Sequence, residues 1–323
     1  MTQMRCRARC VLRWSDAATK LFAAILAAVV FACPQPALAE ESAVILYPDA
    51  SGAYRGVFET IVQGIEDQRL RTRKIPLRDD LSREEVAARV AAAGTKAVIA
   101  LGRQGVTAAL ELGSEYSIFV GGIQMQSGLN KNVSGILLAP DPALVFARLK
   151  NFIPGVKRVL VVYNSRNNEW LIKNAREDAA AAGVELVTRD VQDLREAARA
   201  FQEIVNNADG KKDAIWLIND DSVFSEDFVL PFILKEAWNR SIPLVSNNVG
   251  HVKRGALFAL FPDNYALGRS LAQMVMSNGA TTARTIIPLR DVRVAVNLQT
   301  ASHLALNLSY AQQRSFDLIF PTP

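Results

Sequence analysis

The stretch "RGALFALFPDNYALGR", residues Arg254–Arg269, decides the fold because its periodicity changes in the middle. Ala256–Leu260 are small and apolar, which predicts a buried strand. Pro262 lacks an N–H donor and so ends the strand ladder, and Asp263 can cap a helix. Leu267–Val275 then places its apolar residues at helical spacing. The stretch therefore predicts a strand that ends in one lobe and a helix that crosses to another.

The rest of the chain alternates short apolar runs with amphipathic helical patterns, which predicts parallel sheets covered by helices on both faces. Predicted strands include Val44–Tyr47, Ala97–Leu101, Ile118–Val120, Ile136–Leu138, Val159–Tyr163, Ala214–Ile218 and Pro243–Ser246. A break near Leu138–Pro142 divides them into two series, so we expect an α/β protein with two sheets; one continuous sheet with an awkward turn is the alternative. The expected first lobe is 40–138 plus 250–281, and the expected second lobe is 139–249 plus 282–323.

The first 39 residues predict a secretory signal peptide. Five basic residues and one acidic residue accompany the apolar run Leu21–Cys33, and Ala37-Leu38-Ala39 offers a cleavage site after Ala39. The apolar run has 13 residues, whereas a membrane-spanning helix needs about 20. A lipoprotein anchored at Cys33 is an alternative, which Phe31 disfavours. We therefore expect a periplasmic protein.

Charge and cysteine usage exclude several classes of function. The chain has 37 basic and 32 acidic residues, and removing the leader's 5 and 1 leaves 32 and 31. A nearly neutral mature chain gives no case for nucleic-acid binding. All three cysteines lie in the leader, so we expect no disulfide, no thiolate metal site and no cysteine-pair racemase. The leader also occupies the place where a repressor-like regulator would carry its helix-turn-helix.

Motifs of enzymes are missing from the sequence. It contains no G-x-S-x-G, no H-E-x-x-H and no P-loop. His251 and His303 are the only histidines, and we expect both at a surface or an interface. The sequence therefore predicts a binding protein without a metal or an organic cofactor.

Several motifs stand in the order known from one family. They are Asn132–Ile136, Tyr163–Ser165, Asn219–Ser222, Gly255–Leu257, Pro262–Arg269 and Val296–Ala301. Over essentially the whole mature chain, the sequence resembles ABC-transporter substrate-binding proteins of the tryptophan/tyrosine type. The resemblance implies a type I periplasmic-binding-protein fold, with two Rossmann-like lobes, a hinge and a ligand cleft between the lobes. It also implies delivery of the ligand to an inner-membrane permease.

The chain departs from the family pattern at four strand ends. They are Tyr47–Ser51, Gly102–Gly105, Phe119–Gln124 and Glu169-Trp170. We therefore expect a small amino-acid-like or anionic ligand rather than one particular amino acid.

Ligands of open parallel sheets bind beyond the carboxyl ends of the strands. The candidate ligand-binding residues at those ends are Tyr54, Gly102, Arg103, Gln104, Gln124, Asn164, Trp170, Asp220, Asp221 and Asn247. The turn at Gly102 opens a helix whose N–H groups could hold a carboxylate or phosphate, although any strand–helix turn favours glycine. Asp220 could pair with a ligand ammonium; the alternative at this turn is helix capping by Asp221 or Ser222.

Two kinds of partner remain open at this point. A permease is the first expectation, and a membrane kinase or receptor that senses the bound ligand is the alternative. We expect the protein to act as a monomer.

Overall fold

The computed structural model describes residues 41–125, 129, 133–220, 222–278 and 285–321, so the predicted leader lies outside the described residues. The first of two sheets is entirely parallel, with the strand order β11-β5-β4-β3-β1-β2. Its strands are β1 Ser42–Pro48, β2 Arg71–Leu77, β3 Ala97–Leu101, β4 Ser117–Gly121, β5 Val133–Pro140 and β11 Ile286–Leu289.

The second sheet has the order β13-β12-β10-β9-β8-β6-β7. Its strands are β6 Arg158–Tyr163, β7 Glu185–Asp190, β8 Asp213–Leu217, β9 Leu244–Ser246, β10 Phe258–Pro262, β12 Val292–Asn297 and β13 Leu318–Phe320. All neighbouring strands are parallel except β10 and β12, which are antiparallel. The prediction of two α/β sheets is confirmed.

Helices cover both faces of each sheet. In the first lobe, α1 Ala53–Glu66 and α9 Asn264–Asn278 cover one face, and α2 Arg83–Ala91 and α3 Gly102–Leu110 cover the other. In the second lobe, the two pairs are α4 Pro142–Phe152 with α5 Ser165–Ala181 and α6 Leu194–Asn207 with α7 Val229–Asn239. Three short helices are α8 Val249–Arg254, α10 Leu298–His303 and α11 Tyr310–Gln313. No helix among the described residues is long and apolar enough to cross a bilayer.

The stretch that decides the fold behaves as the sequence predicts. Strand β10 ends at Pro262 in the second sheet, and Asp263 Oδ1 accepts a hydrogen bond of 3.0 Å from the N–H of Ala266. Helix α9 then packs against α1 in the first lobe. The two helices approach so closely that a Cβ at Gly64 would lie 2.1 Å from the carbonyl oxygen of Tyr265. Glycine is needed there because the backbone of the partner helix occupies the space of a side chain.

Sheet membership corrects the expected lobe boundaries. The first lobe was expected to include 250–281, but α8 precedes β10 in the second lobe, and β10 pairs with β9 in the second sheet. The chain crosses after Pro262 because the ladder of β10 continues to that residue. Likewise, β11 was expected in the second lobe but pairs with β5 of the first. By sheet membership, the described residues of 41–140 and 264–289 belong to the first lobe, and those of 141–262 and 292–321 belong to the second.

The three connections between the lobes run side by side. The N–H of Asp141 donates to the carbonyl of Leu289 at 2.8 Å, and the N–H of Asp263 donates to the carbonyl of Asp291 at 2.9 Å. The connections at Asp141 and at Asp263 are thus both hydrogen-bonded to the third connection, which runs from Leu289 to Asp291. Three short, adjacent connections form a narrow strip, which is the geometry of a hinge between two lobes.

Candidate ligand-binding site

Three strands of the second sheet end at one edge and are followed by polar residues. Strand β8 lies between β6 and β9, with Ile215 beside Leu160 and Leu217 beside Ser246. Asn164 follows β6 directly, Asn247 follows β9 directly, and Asp220 lies three residues beyond the end of β8. The structure therefore places these three predicted site residues at neighbouring positions of one carboxyl edge.

Asp220 is the centre of a hydrogen-bonded cluster at this edge. Its side chain is 8% exposed. Asn168 Nδ2 donates to Oδ2 at 2.5 Å, and Asn167 Nδ2 donates to Oδ1 at 3.3 Å. The hydroxyl and the N–H of Ser222 donate to Oδ1 at 2.6 and 3.0 Å. Every donor is neutral, so the buried carboxylate has no cationic partner among the described residues.

This cluster goes beyond the residues that the sequence predicted. Asn167 and Asn168 were not among the candidates; the only signal for them is their position in the first turn of the helix that follows β6. The alternative of helix capping by Ser222 is not what the described residues show, because the turn at Asp220 is closed by Ser222 and no helix begins until Val229. Asp221 lies outside the described residues.

The two asparagines at the edge have different surroundings. Asn164 is buried and caps α5, since its Oδ1 accepts a 2.9 Å hydrogen bond from the N–H of Arg166. Asn247 Oδ1 is buried and has no hydrogen-bond partner among the described residues. A buried oxygen without a donor costs free energy of about 1–3 kcal/mol, and a ligand donor would remove that cost. Asn247 Oδ1 is thus available to accept a hydrogen bond from a ligand, whereas Asn164 Oδ1 already accepts one as the cap of α5.

Trp170 is the predicted site residue that links the two lobes. Its ring packs against the hydrophobic cores of both the second and the first lobe. The indole Nε1 is buried and has no acceptor within the described part of the chain. Trp170 therefore has an unpartnered donor in the region where the lobes meet.

On the first lobe, the ends of β3 and β4 meet beneath an aromatic ring. Gly102 has a φ of +66°, and a Cβ built on it would lie 2.8 Å from Cζ of Phe58. A Cβ on Gly122 would lie 3.8 Å from both the N–H nitrogen of Gly102 and the same ring. Gln124 follows and is half-buried, whereas Tyr54 is 73% exposed on the first turn of α1. Phe58 was not predicted, because its helical spacing indicates only a core position.

Two further candidates, Arg103 and Gln104, line a groove that belongs to the first lobe alone. Arg103 is exposed and Gln104 is half-buried. All residues lining this groove come from the segment 77–112, with none from the second lobe. The structure thus separates Arg103 and Gln104 from the cluster around Asp220.

His251 corrects an expectation from the sequence. It was expected at a surface or an interface but is 1% exposed, because α8 turns it into the second lobe. Its Nε2 lies 2.7 Å from Oε1 of Glu226, and its Nδ1 lies 2.8 Å from Oγ of Ser246. Burial lowers the pKa of His251, and Glu226 only partly opposes this. A neutral ring fits the contacts, with Nε2–H donating to Glu226 and the Ser246 hydroxyl donating to Nδ1.

The other histidine lies where it was expected. His303 is exposed and stacks on the indole of Trp238, with ring centroids 3.8 Å apart. Its Nε2 lies 2.8 Å from the carbonyl oxygen of Trp238.

A hinge between two α/β lobes, with polar strand ends at the edge of each sheet, defines a two-lobed ligand-binding protein. The chain belongs to the ABC transporter substrate binding protein family, whose model matches residues 126–314. The family resemblance that the sequence predicted is thereby confirmed.

The chain is also similar to one further protein and to two solved structures. A tyrosine-binding protein of Clostridioides difficile (strain R20291) is 24% identical over 180 residues, and the match spans 54% of this chain and 50% of that relative. The ligand-free, open structure of a substrate binding protein with adhesive properties from Clostridium difficile has a TM-score of 0.59 at 18% identity, covering 88% of this chain and 100% of that one. The ABC domain of Streptococcus pneumonia in complex with L-Trp has a TM-score of 0.50 at 16% identity, covering 87% and 100%. These two structures share the fold.

Proposed function

We propose that the protein binds a free amino acid between its lobes and that Asp220 pairs with the ligand's ammonium group. The observation that carries this proposal is a buried carboxylate whose donors among the described residues are all neutral. Burying a charge without a counter-ion is costly, and a bound ammonium would remove that cost. The names of two similar proteins, one tyrosine-binding and one in complex with L-Trp, support an aromatic amino acid.

Other residues complete the proposed site. The amino end of α3 at Gly102 has no side-chain cap and no acidic residue in its first turn, which suits the ligand's carboxylate. Asn247 Oδ1 is an acceptor for a second ammonium hydrogen. Phe58 and Trp170 provide aromatic walls, and Gln124 adds an amide on the first lobe.

Closure of the lobes makes binding selective for a ligand that carries both an ammonium and a carboxylate group. Only a closed state brings the α3 end and the Asp220 cluster onto the same ligand, so binding shifts the lobes toward closure. Trp170 already contacts the hydrophobic cores of both lobes. Its Nε1–H has no acceptor among the described residues and becomes a donor to the enclosed ligand.

Calorimetric titration of Asp220→Asn with L-tyrosine and L-tryptophan tests the proposal. We expect a loss of affinity of roughly tenfold or more, the scale of a hydrogen bond to a charged group. N-acetyl-L-tyrosine, which lacks the ammonium, should bind the wild type weakly, and the variant should discriminate little between it and L-tyrosine. Asp227→Asn is the matched control, because Asp227 is exposed and pairs with no other described residue.

Two outcomes would contradict the proposal. If Asp220→Asn binds as tightly as the wild type, Asp220 does not contact the ligand. If the wild type binds no amino acid in a thermal-shift screen of all common ones, the ligand class is wrong.

We also propose that residues 1–39 direct export and that the mature protein delivers its ligand to a permease from the periplasm. Mass spectrometry of the periplasmic fraction should give a chain that begins at Glu40; a lipid-modified Cys33 would instead indicate a lipoprotein.

Deleting the permease should abolish uptake of the ligand. If uptake is unchanged but a response to the ligand is lost, the partner is instead the membrane kinase or receptor that senses the bound ligand.

A further inference from the structure

A groove of about 490 Å³ lies between α2 and α3 on the first lobe. Its apolar lining consists of Leu77, Leu81, Val86, Ala87, Ala108 and Leu112. Small-molecule sites typically measure about 300–1,000 Å³ and are lined mostly by apolar side chains. The groove therefore has the size and lining of a ligand site, and it is separate from the site proposed around Asp220.

Three arginines surround this apolar lining, and one of them has no partner among the described residues. Arg78 Nε lies 3.3 Å from a carboxylate oxygen of Asp80, and Arg83 Nη2 lies 3.1 Å from one of Glu111. Arg103 forms no hydrogen bond or ion pair with any other residue that the structure describes. Two acidic groups thus balance two of the three guanidinium groups, and within the described part of the chain the charge of Arg103 is not balanced.

Helix α3 places neutral polar groups beside this free charge. Thr107 is one helical turn from Arg103 and so lies on the same face, and Gln104 adjoins it. A guanidinium can bind a carboxylate or another oxyanion with two parallel hydrogen bonds. The polar group of a ligand would therefore lie at Arg103, and its apolar part would extend along the lining toward Leu112.

We propose that this groove is a second binding site, which takes a small amphiphilic anion. The ligand has one carboxylate, sulfonate or phosphate group on an apolar body. Charge complementarity favours this occupant over a neutral apolar molecule, because only an anion pairs with Arg103.

Calorimetric titration with decanoate, and with decanol as the uncharged comparison, tests the proposal. We expect decanoate to bind the wild type and decanol to bind at least several-fold more weakly. Arg103→Glu should reduce affinity for decanoate by roughly tenfold or more, because a charge-assisted hydrogen bond is replaced by repulsion. Arg89→Glu is the matched control: Arg89 lies on α2, is exposed, has no partner among the described residues and does not line the groove. It should bind decanoate like the wild type.

Two more variants address the apolar part of the groove. Ala108→Trp should fill it and abolish decanoate binding. Thr107→Glu places a negative charge at an exposed position of the groove, where it should repel decanoate. This variant remains informative if Ala108→Trp fails to fold. Asp220→Asn should leave decanoate binding unchanged, and Thr107→Glu should leave the binding of L-tyrosine unchanged, so the two sites can fail independently.

Three results would overturn the proposal. The first is a wild type that does not bind decanoate at millimolar concentration. The second is equal affinity for decanol and decanoate, which would make the site apolar only. The third is an equal effect of Arg103→Glu and Arg89→Glu. If decanoate does not bind but Arg103→Glu lowers permease-dependent uptake, the groove contacts the transporter instead.

Discussion

A buried aspartate lies at the start of strand β8, and another lies three residues beyond its end. The two side chains have opposite surroundings. Asp213 opens the strand and is 1% exposed, and Asp220 follows it and is 8% exposed. Asp213 accepts hydrogen bonds from Nε and Nη2 of Arg158 at 2.7 and 2.5 Å and from the N–H of Asp209 at 2.8 Å. Among the described residues, the side chain of Asp220 accepts only from two asparagines and a serine.

The difference is that Asp213 is paired with a cation within the fold, whereas Asp220 has only neutral donors among the described residues. Burial raises the pKa of Asp213, but the hydrogen bonds from Arg158 and from the Asp209 N–H outweigh it, so the net pKa is lowered. The protein thus completes the pairing of Asp213 within its own fold. At the carboxyl edge, the counter-ion that we propose for Asp220 is a ligand ammonium.

The largest expected effect comes from breaking the pair at the amino end. Arg158→Ala should lower the free energy of unfolding by about 3–5 kcal/mol, because it leaves a buried carboxylate without its cation. Asp213→Ala should cost less, about 2–4 kcal/mol, because the side chain of Arg158 is 41% exposed and can be hydrated. Urea denaturation at pH 7 measures both. If Asp213→Ala costs more than Arg158→Ala, burial of the carboxylate is not what makes this pair important.

The same contrast explains which parts of the fold the sequence predicted. Ala214–Ile218 was predicted as a strand because β8 is buried on both faces and is apolar after Asp213. The edge strand β2, Arg71–Leu77, was not predicted, because it carries Arg71, Arg73 and Lys74 together with a proline. Charges and proline are common on edge strands, where one side lacks a neighbour. The other edge strand with many polar residues, β7, was missed for the same reason.

The positions of the candidate site residues in the fold were predicted as far as strand ends determine them. The position of Asp220 was predictable because it comes three residues after a buried strand, at the carboxyl edge where ligands of open parallel sheets bind. Its partner Asn168 was not, because the two are 52 residues apart and only the packing of α5 brings them together. Arg103 was predicted from the same rule, but the rule locates only the backbone; its side chain lines the groove between α2 and α3.

An intermediate effect should come from His251, a buried titratable group at the carboxyl edge. Burial lowers its pKa below the usual value of 6.5. The unfolded state therefore binds the proton first as the pH falls below about 6.5, so stability should decrease in that window, by at most about 1.4 kcal/mol per pH unit, until the folded state is protonated too. Urea denaturation between pH 7 and pH 5 measures this slope.

The charged groups that contact His251 or Glu226 define the controls for this slope. Glu226 accepts from His251 and also pairs with Arg254 at 3.2 Å. His251→Gln should flatten the pH dependence whatever it does to stability at pH 7, whereas His303→Gln, at the exposed histidine, should keep it. An unchanged slope in His251→Gln would assign the acid sensitivity to carboxylates.

The smallest expected effect on stability, with the opposite sign, belongs to Asp220. Asp220→Asn removes a buried charge that has no cationic partner among the described residues, and the Asn168 amide can reverse its orientation to accept from the new side chain. We expect the ligand-free variant to be as stable as the wild type or up to about 1 kcal/mol more stable, in contrast to the loss at Asp213. The same urea denaturation, without ligand and at pH 7, checks it. A destabilisation as large as that of Asp213→Ala would show that Asp220 is a structural group, and the two ends of the strand would then not differ in kind.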